Sequence, residues 1–184
     1  QIERWSVSAG DTSAAIWVLA DTVNASGTTT VRMHWGNGAA SSASNGSRVF
    51  DTTNGFQGVW HLDEATSDSL ASDATSHNFH GKAGQSGSTI PDDTVGIIGR
   101  SKNFKGSATS GTTATSGGYY AMNGSAPGSV STVSGSLSFS ASGPYTLSAW
   151  VRNYSTGLSG MIANKSDAQY YLGKRNGGRS EEHT

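Results

Sequence analysis

Before its last six residues the chain contains two glutamates, Glu3 and Glu64, and they frame the question of catalysis. Retaining glycoside hydrolysis needs two carboxyl groups about 5 Å apart, one as nucleophile and one as acid/base. Glu3 and Glu64 fall in separate parts of the sequence and neither sits in a paired-carboxylate motif. No G-x-S-x-G elbow or phosphate-binding loop is present. The run Gly36-Asn37-Gly38-Ala39-Ala40-Ser41 lacks the third glycine of a dinucleotide fingerprint and reads as a turn. The chain is therefore expected to be non-catalytic. Asp63, Glu64, Asp73 and Asn78 gather oxygen donors in one turn-rich segment, the ligand type that calcium takes from loops. A second reading stays open: Asp73 caps the turn through backbone N–H groups and Asn78 supplies an unusual φ. His77 and His80 lie three apart, but no third ligand motif accompanies them, so zinc is a weak reading.

Sugar recognition needs exposed aromatic faces flanked by polar groups. Trp150 shares a strand face with Thr146, Ser148 and Arg152, which suits a sugar-binding surface. Tyr119-Tyr120 and Tyr170-Tyr171 are adjacent pairs, so one ring of each should face outward; Tyr119 and Tyr171 join Trp150, Ser148 and Arg152 as candidate ligand contacts. The alternative for Trp150 is burial under a loop. Trp60, with Phe56 and Leu62 on its face, reads as core.

The elements that must position these residues are short strands. Ala15–Ala20 is continuously apolar, as expected of a strand buried on both faces. Thr30–Trp35 alternates, with Val31, Met33 and Trp35 against Arg32 and His34, and predicts a half-buried strand. Gly36-Asn37-Gly38 predicts a turn with positive φ. Leu137–Phe139 and Tyr145–Arg152 predict strands around the Gly143-Pro144 turn, and Gly160–Ala163 with Gln169–Leu172 predicts a hairpin. No segment keeps a helical period over three turns. The low-complexity stretches Gly106–Gly118 and Pro127–Ser136 read as surface loops.

Composition supports this class. Charged residues are 14% of the 184, cysteine is absent and the formal net charge is −1, with no basic cluster to attract nucleic acid. Absent cysteine removes disulfides and thiolate metal sites. The longest apolar run, Ala14–Ala20, is far short of the ~20 residues of a membrane helix.

Four segments carry a resemblance: GVWHLDEA (58–65) leading into SDATSHNFHG (72–81), GIIGRSKNFKG (96–106) and YTLSAWVR (145–152). In order and content they resemble the LamG-like, concanavalin A-like jelly-roll domains of bacterial surface proteins. That resemblance implies an antiparallel β-sandwich over residues 56–178, C-terminally incomplete, that binds a glycan or a surface protein. It also implies an extracellular or cell-envelope location, and it places calcium, where present, in the Asp63–Asn78 segment. Endoglucanases of that fold use E-x-D-x-x-E on one strand, which this chain lacks. Upstream, Ile16-Trp17-Val18, Gly36-Asn37 and Val49-Phe50-Asp51 resemble the C-terminal half of a domain of unknown function, DUF2341, over residues 1–52. The final Arg179–Thr184, RSEEHT, resembles a translated sequencing adapter and reads as a non-native tail. The expectation is thus an all-β, truncated jelly roll acting as a carbohydrate-binding module, with a structural or adhesive module as the alternative and a glycosidase fragment behind both.

Overall fold

In a computed structural model the structure describes residues 1–8, 10–65, 69–83, 90–104, 120–122, 137, 143–152, 160–165, 170–174 and 180–183. The chain is all-β, with antiparallel strands throughout the described residues and a single-turn helix. It divides into two compact units, Gln1–Val133 and Ser134–Thr184.

In the first unit, β1 (Ile2–Ser8) and β2 (Asp11–Ile16) form a hairpin turned at Gly10, whose φ of 97° suits glycine. Gln1 and Trp17 extend the pairing by exchanging backbone hydrogen bonds at 2.8 Å. Helix α1 (Gly46–Val49) is one turn long, because Asn45 caps it by accepting from the Arg48 N–H at 3.0 Å and no apolar stripe prolongs it. A 3-10 turn over Thr52–Asn54 follows, capped by Asp51, and stops at Gly55 with φ 90°. Strands β3 (Leu70–Ala71), β4 (Gly81–Lys82) and β7 (Ala121–Met122) make a small sheet in the order β3-β4-β7. Strands β5 (Asp92–Val95) and β6 (Arg100–Asn103) form a separate hairpin.

In the second unit, β8 (Gly160–Lys165) pairs with β9 (Tyr170–Lys174), as the sequence predicts. The other edge of β9 pairs with β10 (Ser180–His183), inside the stretch read from sequence as a non-native tail.

Three predicted strands are not observed. Ala15–Ala20 is strand only as far as Ile16; beyond it Trp17 packs against Phe50 yet keeps an exposed face, and Val18 and Leu19 are exposed. Thr30–Trp35 and Tyr145–Arg152 form no strand. A strand is defined by its ladder, and an apolar pattern by itself does not make one. Residues 36–40 do make the predicted turn: Gly36 has φ 85° and Ala40 N–H donates to the Asn37 carbonyl at 3.1 Å. The two low-complexity loops, and Ser138 and Phe139 of the Leu137–Phe139 prediction, lie outside the described residues.

The buried apolar residues of the described chain are small or few: Phe50, Ala71, Ala83 and Pro91. Phe50 is the hub of an edge-on aromatic cluster, with Trp17, Phe56 and His61 at centroid distances of 5.5, 5.4 and 5.5 Å. Glu3 from β1 joins that cluster to the hairpin, accepting from Trp17 Nε1 and contacting His61 Nδ1 at 3.0 Å.

Gly58 lies directly beneath the Trp60 ring, where a Cβ would overlap the indole. That indole is fixed by its Nε1–H donating to the Phe79 carbonyl at 2.9 Å. At Gly81 a Cβ would meet chiefly the flexible end of Met122. We expect Gly58→Ala to cost about 1–3 kcal/mol by overpacking, and Gly81→Ala to cost less because a thioether swings aside. Urea unfolding followed by tryptophan fluorescence measures both; equal losses would contradict the rigid-ring account.

Candidate functional site

The Asp73 turn is the most highly connected polar site among the described residues. Asp73 is 6% exposed, and its carboxylate accepts four hydrogen bonds. Oδ1 takes the N–H groups of Val59 at 2.9 Å and Thr75 at 3.0 Å; Oδ2 takes the Thr75 hydroxyl at 2.7 Å and the Phe79 N–H at 2.9 Å. Its own N–H donates to His80 Nδ1 at 3.0 Å. Asp73 also bridges Trp60 in antiparallel fashion, and Ala74 N–H donates to the Val59 carbonyl at 2.8 Å. The carboxylate thus ties the 73–79 turn to the 57–61 segment. Asn78 closes the turn at φ 56°, its amide donating to the Ser76 carbonyl at 3.0 Å. The sequence therefore folds here as an Asx turn, its side-chain acceptors replacing ladder bonds.

The four residues read from sequence as calcium ligands are used differently. Both Asp73 oxygens are engaged by donors, and the Asn78 amide is committed to the turn. Glu64 Oε1 accepts from Ser72 N–H, and Asp63 is exposed. Next to Glu64 a cation is already present: the side chain of Lys102 has 0% exposure, and its ammonium donates to the Glu64 carbonyl and, at 2.7 Å, to Asp93 Oδ1. Arg100 lies 3.5 Å from Asp93 Oδ2. A calcium ion needs six to eight oxygens facing one point. Among the described residues no three His, Asp or Glu side chains gather in that way. Asp73 is thus held as a turn cap, while Glu64 Oε2 is buried without a hydrogen-bond partner. The histidines are likewise occupied: His77 stacks on Phe79 at 4.9 Å with its Nδ1 3.1 Å from the Gln57 carbonyl, and His80 serves Asp73.

Of the ligand-contact candidates, Ser148, Trp150, Arg152 and Tyr171 belong to the second unit and Tyr119 to the first. Over 145–148 the alternation read from sequence survives in the exposure pattern: Tyr145 and Leu147 are half-buried, Thr146 and Ser148 exposed. Trp150 is 83% exposed and Arg152 is exposed beside it. Tyr171 lies on β9, paired in register with Asn164. Tyr119 lies outside the described residues. The structure thus places Ser148, Trp150 and Arg152 along one exposed stretch.

Sequence reading missed Thr75, Lys102 and Asp93, and weighed His80 only as a zinc ligand, not as the acceptor of the Asp73 N–H. Asp73-x-Thr75 carries a recognisable turn signal. For Lys102 nothing local marks burial; its cue is the cross-strand pairing with Asp93, which appears only once β5 and β6 are in register.

Asp51 titrates below the usual carboxylate range, because the Thr53 N–H and then the Thr53 hydroxyl hydrogen-bond its charged form. A depressed carboxylate contributes stability that is present above its ordinary pKa and lost as pH falls through the lowered one. Carboxyl NMR should show Asp51 titrating below a free aspartate, and Thr53→Gly, which removes the hydroxyl, should move it back upward.

Asp73→Asn leaves one oxygen for four donors. We expect a loss of about 3 kcal/mol in unfolding free energy, with millimolar calcium leaving the wild-type melting temperature unchanged. A calcium-dependent rise in melting temperature, abolished by Asp73→Asn, would contradict the turn-capping role.

A comparison of the chain with known families matches residues 1–68 to a domain of unknown function, DUF2341. The match includes Glu3, Trp17, Phe50 and His61, and so takes in the aromatic cluster. No curated protein and no solved structure matches the chain significantly.

Proposed function

We propose that the chain carries a non-catalytic, lectin-like recognition module of a larger secreted or cell-envelope bacterial protein, and that its ligand is a polysaccharide or surface glycan. In this reading residues 56–178 form a concanavalin A-like jelly roll following the DUF2341-like segment. One observation carries it: Trp150 presents an almost fully accessible indole, next to Ser148 and Arg152 as hydrogen-bonding groups. An indole in water is costly unless it is used, and a sugar ring stacked on it removes apolar surface while neighbouring polar groups bind hydroxyls. The calcium-independent form of the reading is the one adopted, since Asp73 is committed to its turn.

A protein-contact role is the second reading. It draws on a different observation, the exposed apolar side chains of residues 1–35, among them Trp5, Val7, Val31 and Trp35. Exposed apolar side chains are what a protein partner would bury.

A glycan array probed with the 184-residue chain, with and without calcium, separates these. Saturable binding that falls at least about tenfold in Trp150→Ala, with an unchanged circular dichroism spectrum, is expected from a stacking platform. A folded chain that binds no glycan would favour the protein-contact role.

A further inference from the structure

We infer that residues 30–36 are a strand acceptor, a β-edge that pairs with an extended polypeptide strand apolar on one face and acidic on the other. The segment Thr30-Val31-Arg32-Met33-His34-Trp35-Gly36 has the period of a half-buried strand, yet lies in no sheet. All three residues of its apolar face are exposed, Trp35 to 75%. Among the described residues, its backbone N–H and C=O groups make no hydrogen bond. Turns delimit it: residues 25–27 before, and the Gly36 φ of 85° with the Asn37–Ala40 bond after. The result is a strand-length piece of chain, roughly 20 Å when extended, with a ladder on neither edge.

The unpaired ladder selects the occupant. Exposed along its length, the segment leaves these backbone groups to solvent water. Anything that covers Val31, Met33 and Trp35 also withdraws that water, and an unpaired amide then costs more than the apolar burial gains. A helix face or an acyl chain leaves the ladder unmet. An added strand meets both demands, with backbone bonds giving affinity and alternating side chains giving register. The second face sets the charge: Arg32 calls for a carboxylate opposite, with His34 beside it as a hydrogen-bonding group. A second copy of the chain is a poorer match. Antiparallel self-pairing centred on Met33 aligns Val31 with Trp35 but sets Arg32 against His34, two basic side chains.

The test uses the 184-residue chain and two synthetic peptides about seven residues long, capped at both ends. One alternates valine with glutamate, the other valine with lysine. Hydrogen exchange read by mass spectrometry over residues 28–37 reports ladder formation. The glutamate peptide should slow exchange there and bind about tenfold tighter than the lysine peptide. Met33→Pro/His34→Pro, which removes one donor from each edge, should abolish protection while the circular dichroism spectrum is kept. Absence of protection with the glutamate peptide, or protection that survives in the proline variant, overturns the proposal. Protection in the chain alone, with a dimer mass by light scattering, overturns it in favour of a second copy.

Discussion

Four donors converge on the Asp73 carboxylate, and the local structure of the first unit depends on that convergence. The segment 57–61 and the turn 73–79 share an isolated bridge, one further backbone bond and two side-chain contacts, Trp60 Nε1–H to the Phe79 carbonyl and His77 Nδ1 with the Gln57 carbonyl. The carboxylate adds the Val59 N–H across the two segments and braces the turn itself through Thr75 and Phe79. It is buried, so its charge is stabilised by N–H and O–H dipoles instead of water, and each bond is worth more than its surface counterpart. Trp60 is then held by the Phe79 carbonyl, Gly58 must stay bare beneath it, and His80 is drawn onto the Asp73 backbone. Gly46 of α1 in turn approaches Ala74 so closely that a Cβ would touch its carbonyl at 3.0 Å.

The same logic of polar groups inside recurs at Lys102. A buried ammonium is costly, by several kcal/mol, unless both its charge and its hydrogens are met. Asp93 meets the charge and the Glu64 carbonyl takes a further hydrogen. The pair joins the β5–β6 hairpin to the segment after Trp60, which is also where a bound cation was expected.

Around this polar framework the apolar residues are distributed unusually. Trp5, Val7, Val18, Val31, Met33 and Trp35 are exposed, while among the described residues the buried apolar ones are Phe50, Pro91 and two alanines. The DUF2341-like segment therefore folds locally, through its hairpin, its capped helix and the Phe50 cluster, and leaves a strand-patterned stretch with nothing against it. Glu3 belongs to this economy. It faces inward from β1 because Trp17 and His61 both reach it, whereas Trp5 on the same strand faces water.

By itself the sequence determined the class and its punctuation. Short alternating runs separated by glycine and asparagine predict antiparallel strands. The Asn37 turn, the β8–β9 hairpin and the absence of long helices follow from local propensities that do not depend on neighbours. The two readings of Asp73, ligand or turn cap, were both legible, since the residue type permits either. Choosing between them required the positions of the Thr75 and Phe79 donors in the turn and of the Val59 donor, which the fold brings in from the 57–61 segment. Tertiary structure alone also decided that Lys102 is buried, because its partner lies across a hairpin, and that Thr30–Trp35 is not a strand. Alternation records which face could be buried, whereas a ladder exists only where another strand arrives to complete it.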